Sequence, residues 1–178
     1  FCISSEGWIL TNAHVVKKPG IEKIRFQSWD LDPEVKIEVI FSGRSERRPS
    51  EIKAKIEEDG DDMALLKIEP FEGMPVIGEL DLSDRELVQG AEVRLFGFPL
   101  GRNLLGDKEG EKLVASVFSG IVSRKVDRYF QIQSAVYPGN SGGPVVDENG
   151  RVLALWTTKR KAEQAAERYQ KAERGEKR

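Results

Sequence analysis

Apolar and polar positions alternate with a period of two along much of the chain. Ile52, Ala54 and Ile56 alternate with Lys53, Lys55 and Glu57, and Val35–Phe41 alternates in the same way. That period puts the apolar side chains on one face of a half-buried strand. Phe1–Ser4 and Trp8–Asn12 read as two strands joined by a turn at Ser5-Glu6-Gly7. Ile24 and Phe26 give a shorter alternating stretch that runs into Asp30-Leu31-Asp32-Pro33. Ser42–Ser50 is polar, carries Arg44, Arg47 and Arg48, and reads as a solvated hairpin tip. Met63–Ile68 reads as a buried strand closed by Glu69-Pro70, and Pro, Gly and Asp mark residues 70–90 as a connection. Beyond it, strands are predicted near Val93–Phe98, Leu113–Lys125, Tyr129–Ser134, Gly143–Asp147 and Arg151–Thr157, with a polar loop from Gly101 to Lys112. Asp147-Glu148-Asn149-Gly150 reads as a hairpin turn in preference to a set of metal ligands, because Asn-Gly lies between two apolar runs. From Lys159 the pattern changes. Ala162, Ala165, Ala166, Tyr169 and Ala172 fall at helical spacing among strong helix formers, which predicts an exposed helix over 159–178.

The fold class is therefore all-β with a charged C-terminal helix. A length of 178 residues suits one domain with its own core. The formal net charge of −2 hides an asymmetry: Lys159–Arg178 holds eight basic and four acidic residues, which leaves the rest of the chain acidic. An acidic body offers no footprint for nucleic acid. Cys2 is the lone cysteine and reads as a small buried residue, so no internal disulfide is available. With one histidine and one cysteine, no zinc cluster is expected. No apolar run reaches the roughly 18 residues that would span a bilayer. Phe in place of Met at position 1 reads as a chain that begins inside a longer protein.

Three short stretches carry candidate chemistry. Tyr137-Pro138-Gly139-Asn140-Ser141-Gly142-Gly143-Pro144 contains a serine among glycines. A serine hydroxyl needs a base to take its proton and donors for the oxyanion formed on attack. Glycine at 139 and 142 lets the amides of Gly139 and Ser141 converge on one point beside the hydroxyl. The bland reading is a loop between strands. His14, in Thr11-Asn12-Ala13-His14-Val15-Val16, is the single histidine and so the single imidazole that could serve as base; its bland reading is a packed residue after a strand. Asp62, set directly against the apolar run Met63–Ile68, would orient the imidazole. Its bland reading is a solvated acid closing a turn, which suits Asp61 better.

These motifs, in the order His, Asp, Ser, resemble the chymotrypsin-fold serine proteases, specifically their HtrA/Deg branch, and the resemblance runs from Phe1 to about Thr157. Val93-Arg94-Leu95-Phe96-Gly97-Phe98-Pro99-Leu100-Gly101 and Ser119–Ser123 are also similar to that family's strands. The resemblance implies two six-stranded antiparallel β-barrels, here lacking the first and last strands. Residues 1–70 would form the first, 71–90 the connection and 91–158 the second. It implies acyl transfer to Ser141 with His14 as base and then acid, Asp62 orienting it, and an oxyanion hole from Gly139, Asn140 and Ser141, with no metal or cofactor. It also implies a pocket floored by Ala135, six places before the serine, beside Val136 and Tyr137 and opposite Trp156 and Thr157. An uncharged floor favours small or medium apolar side chains before the cut. Asn140 stands where digestive relatives carry an aspartate that pairs with a new N-terminus, so control by loop ordering is expected instead.

Further expectations from the family are unfolded or exposed polypeptide as substrate, a quality-control role in the periplasm or cell envelope, and homo-oligomers in longer chains. A different class of function is a non-catalytic peptide-binding module that keeps the triad letters in an unformed cleft. An esterase with the same triad fits less well, because α/β-hydrolases order it Ser, Asp, His.

Overall fold

A computed structural model describes residues 1–16, 37–57, 61–77, 88–99, 112–126, 129–135 and 137–157. The stretch around Ile24 and Phe26, the loop from Gly101 and the helix predicted over 159–178 lie outside the described residues. No helix among the described residues is long and apolar enough to cross a membrane.

Among the described residues, ten strands form two antiparallel sheets, in line with the double-barrel class. The first contains β1 (Cys2–Ser4), β2 (Trp8–Thr11), β3 (Ile37–Ile40), β4 (Arg47–Ile56) and β5 (Met63–Ile68), in the order β1-β2-β5-β4-β3. The second contains β6 (Glu92–Gly97), β7 (Ser116–Val126), β8 (Tyr129–Gln133), β9 (Pro144–Val146) and β10 (Val152–Leu155), in the order β10-β9-β6-β7-β8. A single turn of 3-10 helix, Ala13–Val16, follows β2.

Alternation sets which face each strand buries. Ala64, Leu66 and Ile68 of β5 join Cys2, Ile9, Ala13, Val16 and Phe41 in one core. Val93 and Leu95 of β6 join Val122, Val145 and Trp156 in a second. Each sheet thus has its own apolar cluster, as each needs to bury one face. Gly7, whose φ is 90°, closes the β1–β2 turn and lies against the Ile68 carbonyl, where a side chain would collide.

Strand β4 differs from its sequence reading at both ends: a register shift between Ile52 and Ala54 leaves Ile56 exposed and not on the core face with Ile52. Ser42–Ser50 is polar throughout, yet Arg47–Ser50 pair with Ile37–Ile40 and lengthen β4 backwards by several residues. The Arg48 guanidinium carbon sits 3.6 Å from the Phe71 ring centroid, and Arg44 lies 5.0 Å away. These arginines cover an aromatic ring, and only the turn at Ser42–Gly43 corresponds to the predicted tip. A flat guanidinium on a ring substitutes for an apolar residue, which a polarity pattern does not register. The same turn touches the segment that leads into β7, since Gly43 N–H donates to the Leu113 carbonyl (2.6 Å) and Ala115 N–H to the Ser42 hydroxyl (3.0 Å).

Candidate active site

His14 is brought to the edge of the first sheet by the end of β2. The ladder with β5 runs through Leu10↔Leu65 and Thr11↔Ala64, after which the chain coils into the 3-10 turn. Asp62 lies across from it, immediately before β5. Its carboxylate holds His14 at two points: the His14 backbone N–H donates to Oδ1 (2.9 Å), and the imidazole Nδ1 lies 2.5 Å from Oδ2. The side chains are 24% and 14% exposed, so the pair is shielded yet open on one side. A carboxylate can only accept, so this contact assigns the Nδ1–H tautomer and leaves Nε2 with its lone pair. An imidazole in that state is a competent proton acceptor.

Asn12 fixes the other partner. It is 2% exposed, and its side-chain amide donates to the Asp62 main-chain carbonyl at 2.7 Å. Its signal in the sequence is slight, a polar side chain directly behind a buried strand.

Ser141 is half-buried in the loop between β8 and β9. That loop is tied down along its length. Phe98 N–H donates to the Gly139 carbonyl (3.2 Å), Asn140 N–H to Tyr137 (3.3 Å) and Gly143 N–H to Asn140 (3.1 Å). Trp156 brackets it from β10's side, accepting from Gly142 N–H (3.0 Å) and donating to the Gly143 carbonyl (2.8 Å). Gly139 and Gly142 have φ of 99° and 85°, a left-handed conformation that side chains resist. Gly142 also abuts β2's end, where an added β-carbon would collide with the Thr11 hydroxyl and lie 3.4 Å from Asn12 N. The serine loop of the second sheet therefore packs against the segment that carries His14 in the first. The amides of Gly139 and Ser141 meet no acceptor among the described residues.

The remaining candidates lie in varied settings. Asn140 is 3% exposed and fits over Gly97, where a β-carbon would come within 2.7 Å of its Oδ1. Ala135 and Tyr137 are exposed, and the Tyr137 ring sits 5.9 Å from that of Phe118. Val136 lies outside the described residues. The Trp156 indole is buried in the second core, and Thr157 is half-buried with its hydroxyl oxygen enclosed. Asp147, by contrast, is spent on structure: its oxygens accept from the Asn149 and Arg151 amides and from the Arg151 guanidinium, which makes it a turn residue.

A model of the trypsin-like peptidase domain matches residues 1–155. The chain belongs to the trypsin-like peptidase family. Relatives include a probable periplasmic serine endoprotease DegP-like of Ectopseudomonas mendocina, 36% identical over 87% of this chain, and a putative serine protease HhoB of Synechocystis, 30% identical over 88%. An uncharacterized protein y4bJ of Sinorhizobium fredii is 31% identical over 89%. The chain spans 28%, 33% and 21% of these relatives' lengths, respectively. The serine-protease names belong to the DegP-like and HhoB relatives alone, and the chain matches only part of each.

Proposed function

We propose that this chain is the peptidase unit of an HtrA/Deg-like endopeptidase that cuts unfolded or exposed polypeptide through His14, Asp62 and Ser141. The observation that carries the reading is the double hold of Asp62 on His14, together with the packing of Gly142 against Thr11. In the first half-reaction the Ser141 hydroxyl oxygen attacks the scissile carbonyl carbon and its proton passes to His14 Nε2. The amides of Gly139 and Ser141 stabilise the resulting oxyanion, with Asn140 holding their loop. His14 then returns the proton to the leaving amine as the C–N bond breaks. Water attacks the acyl ester by the same route in reverse and frees Ser141.

An uncharged Ala135 at the pocket floor, with Tyr137 beside it, favours an apolar side chain before the cut, as the family resemblance implies. Kinship with probable periplasmic DegP-like endoproteases supports an extracytoplasmic site of action and a role in quality control of misfolded chains. Labelling with a fluorophosphonate probe tests the assembly without a known substrate. Labelling that is lost in both Ser141→Ala and His14→Ala supports the triad. An unlabelled chain with native near-UV circular dichroism would overturn it and favour a peptide-binding module.

A further inference from the structure

Asn12 meets all three parts of the proposed site. It is two residues before His14, its side chain holds the Asp62 carbonyl, and its backbone nitrogen faces Gly142, the neighbour of Ser141. The bond to Asp62 has a topological cause. The β2–β5 pairing has a constant register, Trp8↔Lys67 to Thr11↔Ala64, so continuation would set Ala13 opposite Asp62. The chain instead turns into the 3-10 helix at Ala13, and the ladder ends before residue 62. The Asn12 side-chain amide stands in for the main-chain donor that the sheet no longer provides.

This arrangement has a cost. Asn12 precedes a helical turn, where an asparagine side-chain oxygen commonly accepts from the first free amides. Here the Asn12 carbonyl accepts from Val15 N–H (3.2 Å), while its side-chain Oδ1 is buried with no partner among the described residues. An unpartnered buried oxygen is destabilising, so a residue chosen for stability alone would be apolar.

We infer that Asn12 is a positioning residue for the proposed reaction: its side-chain amide fixes the Asp62 backbone so that the carboxylate meets both the His14 backbone N–H and the ring Nδ1. This rests on the triad reading above. Asn12 touches no reacting atom and acts through Asp62 alone. Small displacements of an orienting group cost about 100-fold in rate, so the effect falls on turnover and not on substrate affinity.

The test uses Asn12→Leu, close in size and without the donor, and Asn12→Asp, equal in shape but presenting an oxygen to the Asp62 carbonyl. Because His14 is the only histidine, its imidazole resonances are unambiguous in a 15N-labelled sample. The wild type is expected to show a low-field Hδ1 signal that broadens or is lost in both variants, with near-UV circular dichroism unchanged. Peptide hydrolysis should show kcat lowered 10- to 100-fold, KM within twofold, and less than twofold further loss when Asn12→Leu is added to Asp62→Ala. Retention of the Hδ1 signal and of kcat in both variants overturns the inference. So does an equal loss in the Asp62→Ala background, which would mark a merely structural role. If the wild type neither labels with fluorophosphonate nor hydrolyses peptide, the triad reading fails, and the Hδ1 comparison still decides whether Asn12 positions the pair.

Discussion

Asp62 binds His14 through both the imidazole and the main chain, at 2.5 and 2.9 Å. The second bond means the carboxylate positions the segment as well as the ring. Asp62→Asn replaces one acceptor oxygen with an NH2 group, which can no longer accept from Nδ1–H and favours the opposite tautomer. Turnover of a peptide substrate is expected to fall about 10⁴-fold, the size found where a triad carboxylate is neutralised. KM should change little. Steady-state kinetics across the two proteins check this, and a loss below tenfold would remove Asp62 from the mechanism.

Gly143 and Phe96 approach so closely that a β-carbon at 143 would overlap the Phe96 carbonyl oxygen. Both partners are backbone, so neither can rotate away. Gly143→Ala should therefore cost about 3 kcal/mol and lower Tm by roughly 10 °C. It should also shift the Ser141 loop and abolish fluorophosphonate labelling. Gly150 makes a contrast: its φ of 81° is strained for alanine, but nothing lies within 4 Å. Gly150→Ala should cost only about 1–2 kcal/mol and leave labelling intact. Thermal melts of the two variants separate collision from backbone strain.

Strand β6 is legible in the sequence because Val93 and Leu95 alternate with Glu92 and Arg94, and β5 because Met63–Ile68 is a nearly continuous apolar run closed by Glu69-Pro70. The start of β4 is not, since Arg47, Arg48, Pro49 and Ser50 are polar letters whose strand state depends on β3. The order of His14, Asp62 and Ser141 along the chain is equally visible, because each sits in a motif. Asn12 and Thr11 are not singled out: their contacts with Asp62 and Gly142 join positions far apart in sequence, and no local pattern records them.

Arg48 is expected to matter more than its charge suggests. Its guanidinium lies 3.6 Å from the Phe71 centroid and pairs with Glu46 at 2.7 Å, whereas Arg44 lies 5.0 Å from the same ring. A partly buried stack of this kind contributes about 0.5–2 kcal/mol. Arg48→Lys keeps the charge but loses the flat group, so it should destabilise nearly as much as Arg48→Ala. Urea midpoints for Arg48→Lys, Arg48→Ala and Arg44→Ala test this; equal effects at 44 and 48 would refute the stacking argument.

Asp147 links acidity to folding. Burial works to raise its pKa, but hydrogen bonds from the Arg151 amide, the Arg151 guanidinium and the Asn149 amide, with the Arg151 charge, together hold it below its ordinary value. A carboxylate depressed in the folded state binds its proton more readily when unfolded. Its contribution is therefore present above the unfolded value, about 3.9, and is lost as pH falls through the lower folded value. Asp147→Asn retains an acceptor for the turn amides but cannot titrate. Its Tm should lie below the wild type's at pH 6, and the gap should narrow as pH falls from about 5 toward 2.5. Melting curves of both proteins across that range check the sign; a gap that widens on acidification would mean that Asp147 is not held in its charged form by this turn.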